Sequence, residues 1–169
     1  PFYNKINELL HLNTDEFYMS YVKDETLSSR MKYIDEIVSS KDPLISLAGF
    51  SLVEGAILYS SFAFLKHFQS KGKNKLNNIV RGINFSVRDE NIHSMGGAWA
   101  FKTLMEEMKT SDEKKQEIEA KVQEMGKVLV EHEHRIVDMV FEKGEMEGIN
   151  KEQMYRFVES RVDVCLGQL

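Results

Sequence analysis

The chain has 169 residues, enough for one domain with a substantial core. Its 27 acidic and 22 basic side chains leave a net charge of −5, which argues against a nucleic-acid or anionic-membrane surface, since either needs a basic excess. A single cysteine, Cys165, excludes an internal disulfide framework and a cysteine-based zinc cluster, and fits a reducing cytoplasm.

Only two prolines occur, one of them Pro1, so long helices are expected. In chain order, Asn13-Thr14-Asp15 can cap a short helix, and Lys23-Asp24-Glu25-Thr26 opens the next. At Ser39-Ser40-Lys41-Asp42-Pro43 the chain breaks, with Asp42 as N-cap and Pro43 at the first helical position. A second break covers Ser70 to Lys75. The third, Thr110-Ser111-Asp112, starts a strongly charged helix. Along that helix Val122, Met125, Leu129, His132 and Ile136 recur at three or four, the mark of an amphipathic helix. Gly144 and Gly148 are expected to end it, and Asn150 to cap a last helix carrying Met154, Phe157, Val158 and Val162. No window alternates at period two, and no repeat or linker divides the chain. The expectation is one all-α domain over 1–169 with five to seven helices.

Leu44 to Leu65 differs from the rest, with Glu54 as its single charge. The length suits a membrane span. A midplane carboxylate, four serines and soluble amphipathic neighbours favour the centre of a helical bundle instead. Glu54 is then a buried carboxylate, which must be protonated, ion-paired or metal-bound. An arginine such as Arg81 or Arg88 is one partner. The other lies in Arg88-Asp89-Glu90-Asn91-Ile92-His93, where Glu90 and His93 share a helix face at i and i+3. Helical bundles use this Glu-x-x-His arrangement to hold di-iron or di-manganese centres, and carboxylate with imidazole suits those metals. Two other instances are read as non-ligating: Glu8 with His11 on a short terminal helix, and Glu131 with His134 on a charged, exposed face. Trp99 and the nine methionines are assigned to packing, Cys165 to a small buried hydrophobe, and His67 to an exposed helix position.

Val53-Glu54-Gly55 with Ser61-Phe62-Ala63, followed by Arg88-Asp89-Glu90-Asn91-Ile92-His93, resembles the radical-generating small (β) subunit of class I ribonucleotide reductase. Gly148-Ile149-Asn150-Lys151, Tyr155-Arg156-Phe157-Val158 and Arg161 are similar to that family's closing helix. The resemblance implies a ferritin-like helical bundle and a dinuclear iron, manganese or mixed centre. The family builds this centre from a carboxylate and a Glu-x-x-His on an earlier helix pair, then a Glu and a Glu-x-x-His on a later pair. Only the later set, Glu54, Glu90 and His93, has a match here. Tyr3, in Phe2-Tyr3 leading into a helix, matches the position of the radical tyrosine, the other match being a residue just before Pro1. Asp89 matches an aspartate that hydrogen-bonds a metal-bound histidine and helps couple proton to electron movement. Leu58 and Phe62 match residues lining the dry pocket around the radical. Ser86 departs from the aliphatic residue usual one turn before Glu90. The first ligand set should lie upstream of Pro1, so the chain is expected to be the C-terminal portion of a split or truncated, cytoplasmic small subunit. Its implied partners are an N-terminal half, the catalytic large subunit and a second copy in a dimeric assembly, with no nucleic acid or membrane. Two rivals are a ferritin-like di-metal oxidase with another substrate, and a metal-free half-subunit serving assembly.

Overall fold

Helices form where apolar residues recur at three and four positions, and the described residues hold no strand, only an isolated bridge between Met146 and Ile149. The computed structural model describes residues 2–70 and 72–169. Pro1, read as the cut end, and Lys71, inside the second break, lie outside the described residues. The α-helices are α1 (Phe2–Leu9), α2 (Asp15–Lys23), α3 (Glu25–Val38), α4 (Pro43–Leu52), α5 (Leu58–Lys66), α6 (Asn77–Glu107), α7 (Asp112–Val140) and α8 (Lys151–Leu166). A π-helical turn, Val53–Ile57, joins α4 to α5 without a break. With those two counted as one rod, the described residues hold seven, the upper end of the expectation.

The punctuation falls at helix ends because each capping side chain takes up an orphan backbone amide. Thr14 accepts from the Phe17 amide at 3.2 Å, Asp24 from Leu27 at 2.9 Å, Asp42 from Leu44 at 3.0 Å and Ser111 from Lys114 at 3.3 Å. Asn150 and Gln153 close a capping box on α8. The glycine expectation is corrected: α7 ends at Val140, and Gly144 and Gly148 shape the loop beyond it at φ +113° and +85°.

The 43–66 rod runs through the centre. It packs α4 on α3, α6 and α7, and the π turn on α6 and α8. Leu44, Ala48, Leu52 and Ile57 join Phe101, Ile118, Val122, Leu129 and Val162 in the main core, where each large aliphatic side chain contributes about 1.5–3 kcal/mol by burial. Length and composition alone would let Pro43–Gln69 cross a membrane, yet half of its most apolar window is buried inside this chain. A smaller cluster of Val137, Phe141, Met154 and Val158 closes α7 against α8.

Several packing assignments change. Cys165 is fully buried, as expected. Trp99 is 69% exposed and belongs to no core in this chain. Met125 and Met154 fill the interior, whereas Met19, Met31, Met95 and Met108 are exposed. His67 is half-buried in a 3₁₀ turn (His67–Gln69), its ring 4.1 Å from that of Phe68.

Candidate metal centre

Glu90 and His93 project from the middle of α6, one turn apart, as their spacing requires. Glu54 reaches them from the first residues of the π turn, where Leu58 N–H bonds the Val53 carbonyl five residues back and widens the helix. Below the site two serines fix how α4 lies on α6. Ser51 Oγ donates to the Ser94 carbonyl at 2.8 Å, and Ser94 Oγ donates to the Ser51 carbonyl at 3.0 Å. Both hydroxyls are buried, so slippage of either helix would strand them. Gly55 permits the close crossing: a Cβ there would stand 2.2 Å from Ser94 Oγ and 2.5 Å from Cys165 Sγ.

The ligand-capable atoms of Glu54, Glu90 and His93 all lie within 4.8 Å of one another. His93 Nδ1 is turned to both carboxylates, 2.9 Å from Glu90 Oε2 and 3.5 Å from Glu54 Oε2. Burial, and then the neighbouring Glu90 carboxylate, pushes the Glu54 carboxyl up to about 7. Hydrogen bonding to Glu54 holds Glu90 below the usual carboxylate range, and the bond to Glu90 raises the His93 imidazole. Two carboxylates and an imidazole are thus drawn together by protons held where a cation would also bind. The donor set fits iron or manganese. Glu54 is less buried than its apolar helix suggested, with 18% of its side chain exposed, and the His93 side chain is 52% exposed. Arg81 and Arg88, the alternative partners, are exposed on α6.

The other expected site residues are dispersed. Tyr3 lies against α6, with its Oη 3.0 Å from Ser86 Oγ, one turn before Glu90. The departure at Ser86 therefore supplies a partner for that phenol. Asp89 is exposed beside Glu90. Leu58 is half-buried and Phe62 buried. Phe62 lines a cavity of about 330 Å³ with Tyr59, Ala63, Val87, Phe157 and Arg161, on the α8 side of the rod. Tyr3 is not among the residues lining it. Glu8 pairs with Lys5.

The reading of Glu131 to His134 as an exposed face needs correction. Glu131 is exposed and His134 faces Glu159 at 3.3 Å, and His132 is buried in the apolar stripe as its spacing predicts, but Glu133 is buried too. Glu133 is fully buried, accepting from Arg30 Nε on α3 and from Ser60 Oγ on α5. The charge–arginine solution considered for Glu54 is thus found at Glu133. Its signal lay in the buried series Gly126, Leu129, Glu133 and Val137, whose spacing continues a core stripe through a charged residue. Nothing local marks the Ser51–Ser94 exchange or the π turn.

Phe85, Ile92, Met95 and Trp99 are exposed along α6. Helices α1 and α2 contribute no buried residue and expose Phe2, Tyr3, Phe17, Tyr18, Tyr21 and Val22. Single exposed apolar residues are ordinary, but Phe85, Ile92 and Trp99, seven residues apart on one helix face, mark a contact surface.

Comparison with known proteins bears on this arrangement. The profile of the family described as ribonucleotide reductase, small chain, matches residues 2–169. A protein named as a probable ribonucleoside-diphosphate reductase small subunit in Invertebrate iridescent virus 6 is 31% identical over 126 residues, covering 69% of this chain and 33% of the viral protein. The ribonucleoside-diphosphate reductase subunit beta of Mycoplasma pneumoniae is 31% identical over 121 residues, 72% of this chain and 34% of that subunit. The chain therefore aligns with about a third of the length of these relatives.

Proposed function

From the premise that this chain belongs to the ribonucleotide reductase small-chain family, we propose that it supplies Glu54, Glu90 and His93 as half of a dinuclear iron or manganese centre that generates a radical for ribonucleotide reduction. The observation that carries this reading is the convergence of a carboxylate on the central rod with a Glu-x-x-His on α6, ligand atoms within 4.8 Å. The all-α bundle of the ferritin-like small-subunit type is the scaffold that such a centre requires.

Three donors on two helices would leave two metals under-coordinated, so a further carboxylate and a second Glu-x-x-His, from outside these residues, complete the site. This chain is then the C-terminal portion of the small subunit. Phe85, Ile92 and Trp99, exposed along one face of α6, support a contact with further protein surface. When bound, the metal pair supplies the oxidising power that converts a nearby tyrosine to its radical.

The residues of this chain divide the remaining work. Glu54 and Glu90 neutralise the cations, and His93 contributes Nδ1. The apolar rod behind Glu54 limits water. Tyr3, hydrogen-bonded to Ser86 one turn from Glu90, is the proposed radical carrier. Asp89, beside Glu90, orients a metal-bound histidine and relays its proton. Leu58 and Phe62 belong to the apolar packing of the rod that carries Glu54. The radical then serves a catalytic large subunit, in an assembly containing two copies of the small subunit, as a cytoplasmic oxidoreductase.

Co-purification from the source, metal analysis and electron paramagnetic resonance test the reading. Iron or manganese at the site, a tyrosyl signal lost in Tyr3→Phe, and ribonucleoside diphosphate reduction on adding the large subunit are expected. A native protein that takes up neither iron nor manganese, or whose uptake Glu54→Ala leaves unchanged, would refute it.

A further inference from the structure

Arg161 stands on α8, far in sequence from every proposed ligand, and it holds no carboxylate. Its Nε and Nη2 both donate to the Gly55 carbonyl, at 3.0 and 2.6 Å. No carboxylate lies within ion-pair distance of it among the described residues. A half-buried guanidinium is costly to keep without an anion. Here it is directed at one backbone carbonyl inside the π turn, immediately after Glu54.

That position matters because a π turn shifts the hydrogen-bond ladder by one residue and opens its carbonyls to outside donors. The same guanidinium lies over the Tyr59 ring, 4.3 Å from its centroid. Tyr59 Oη in turn donates to the Val87 carbonyl at 3.0 Å, on α6, one turn before Glu90. One side chain thus grips the turn that aims Glu54 and, through Tyr59, the helix that carries Glu90 and His93.

We infer that Arg161 is a positioning residue, a clamp from α8 that holds the π turn open and sets Glu54 in ligating register with Glu90 and His93. The inference rests on the metal-site reading above and adds a residue that touches none of the ligand atoms. Lysine cannot replace it, since an ammonium offers neither the planar fork nor the flat face that stacks on Tyr59.

The test is Mn²⁺ titration of the full chain, followed by electron paramagnetic resonance, together with amide hydrogen exchange. Compared are wild type, Arg161→Gln, Arg161→Lys and the remote core variant Leu129→Ala. Arg161→Gln is expected to weaken Mn²⁺ binding by about 10–100-fold, as loss of a residue supporting metal ligands does, and to speed exchange at 53–60. Arg161→Lys should weaken binding as well, and it serves alone if the glutamine variant does not fold. Leu129→Ala should lose stability with no change in affinity. Mn²⁺ affinity in both Arg161 variants within about twofold of wild type, far short of the usual loss, would overturn the inference. A wild type that takes up no Mn²⁺, or uptake that Glu54→Ala leaves unchanged, would instead overturn the metal-site reading, while exchange at 53–60 would still report on the clamp.

Discussion

Removing Arg30 is expected to be among the most damaging single changes outside the site. Glu133 is fully buried, and its two oxygens are taken by Arg30 on α3 and Ser60 on α5. Arg30→Met leaves the carboxylate with the Ser60 hydroxyl alone. Breaking a buried pair from one side costs about 3–5 kcal/mol, a large share of the roughly 5–15 kcal/mol that holds a domain folded. At about 2–4 °C per kcal/mol for a chain of this size, the midpoint should fall by roughly 6–20 °C. The double variant Arg30→Met/Glu133→Leu removes both charges and replaces them with apolar volume. It should recover most of the loss, because a buried pair is seldom worth more than a packed apolar one. Urea unfolding followed by circular dichroism completes the cycle. The reasoning fails if Arg30→Met costs under about 1 kcal/mol, or if the double variant is as unstable as the sum of the singles.

Gly55→Ala should destabilise despite the helix-propensity gain of about 1 kcal/mol. The new methyl would stand 2.2 Å from Ser94 Oγ and 2.5 Å from Cys165 Sγ, and overpacking of that kind costs about 1–3 kcal/mol. Thermal unfolding measures it, and partial rescue by Ser94→Ala with Cys165→Ala identifies the clash. Asp138, bonded by Lys151 and then Tyr155, has its carboxyl held below the usual range. Its contribution is therefore complete above the unfolded value of about 4 and is lost as pH falls through the lower folded value. Wild type should exceed Asp138→Asn in stability near neutral pH, and the gap should close in acid; a gap independent of pH would refute the pairing.

Much of this was legible one segment at a time. The caps at Thr14, Asp24, Asp42, Ser111 and Asn150 are local hydrogen bonds, so residue type and position reveal them. The pairing of Glu90 with His93 is likewise local, a consequence of helical spacing. Trp99 and the exposed methionines were misread because periodicity reports that a helix has an apolar stripe and not which molecule covers it. Glu133 was passed over for a related reason. In sequence it sits within a charged run, and only the arrival of Arg30 and Ser60 from other helices makes its burial tolerable.

The sequence by itself determined an all-α chain, the ends of most helices, a central apolar rod and the donor types of the site. These follow from propensity, capping and spacing, which act over a few residues. Tertiary structure decided that Glu54 meets Glu90 and His93 across a π turn, that Ser51 and Ser94 lock the two helices, and that Arg161 grips Gly55. Those contacts join residues distant along the chain, and they form because helices that bury apolar faces against one another must also satisfy every polar group they bury.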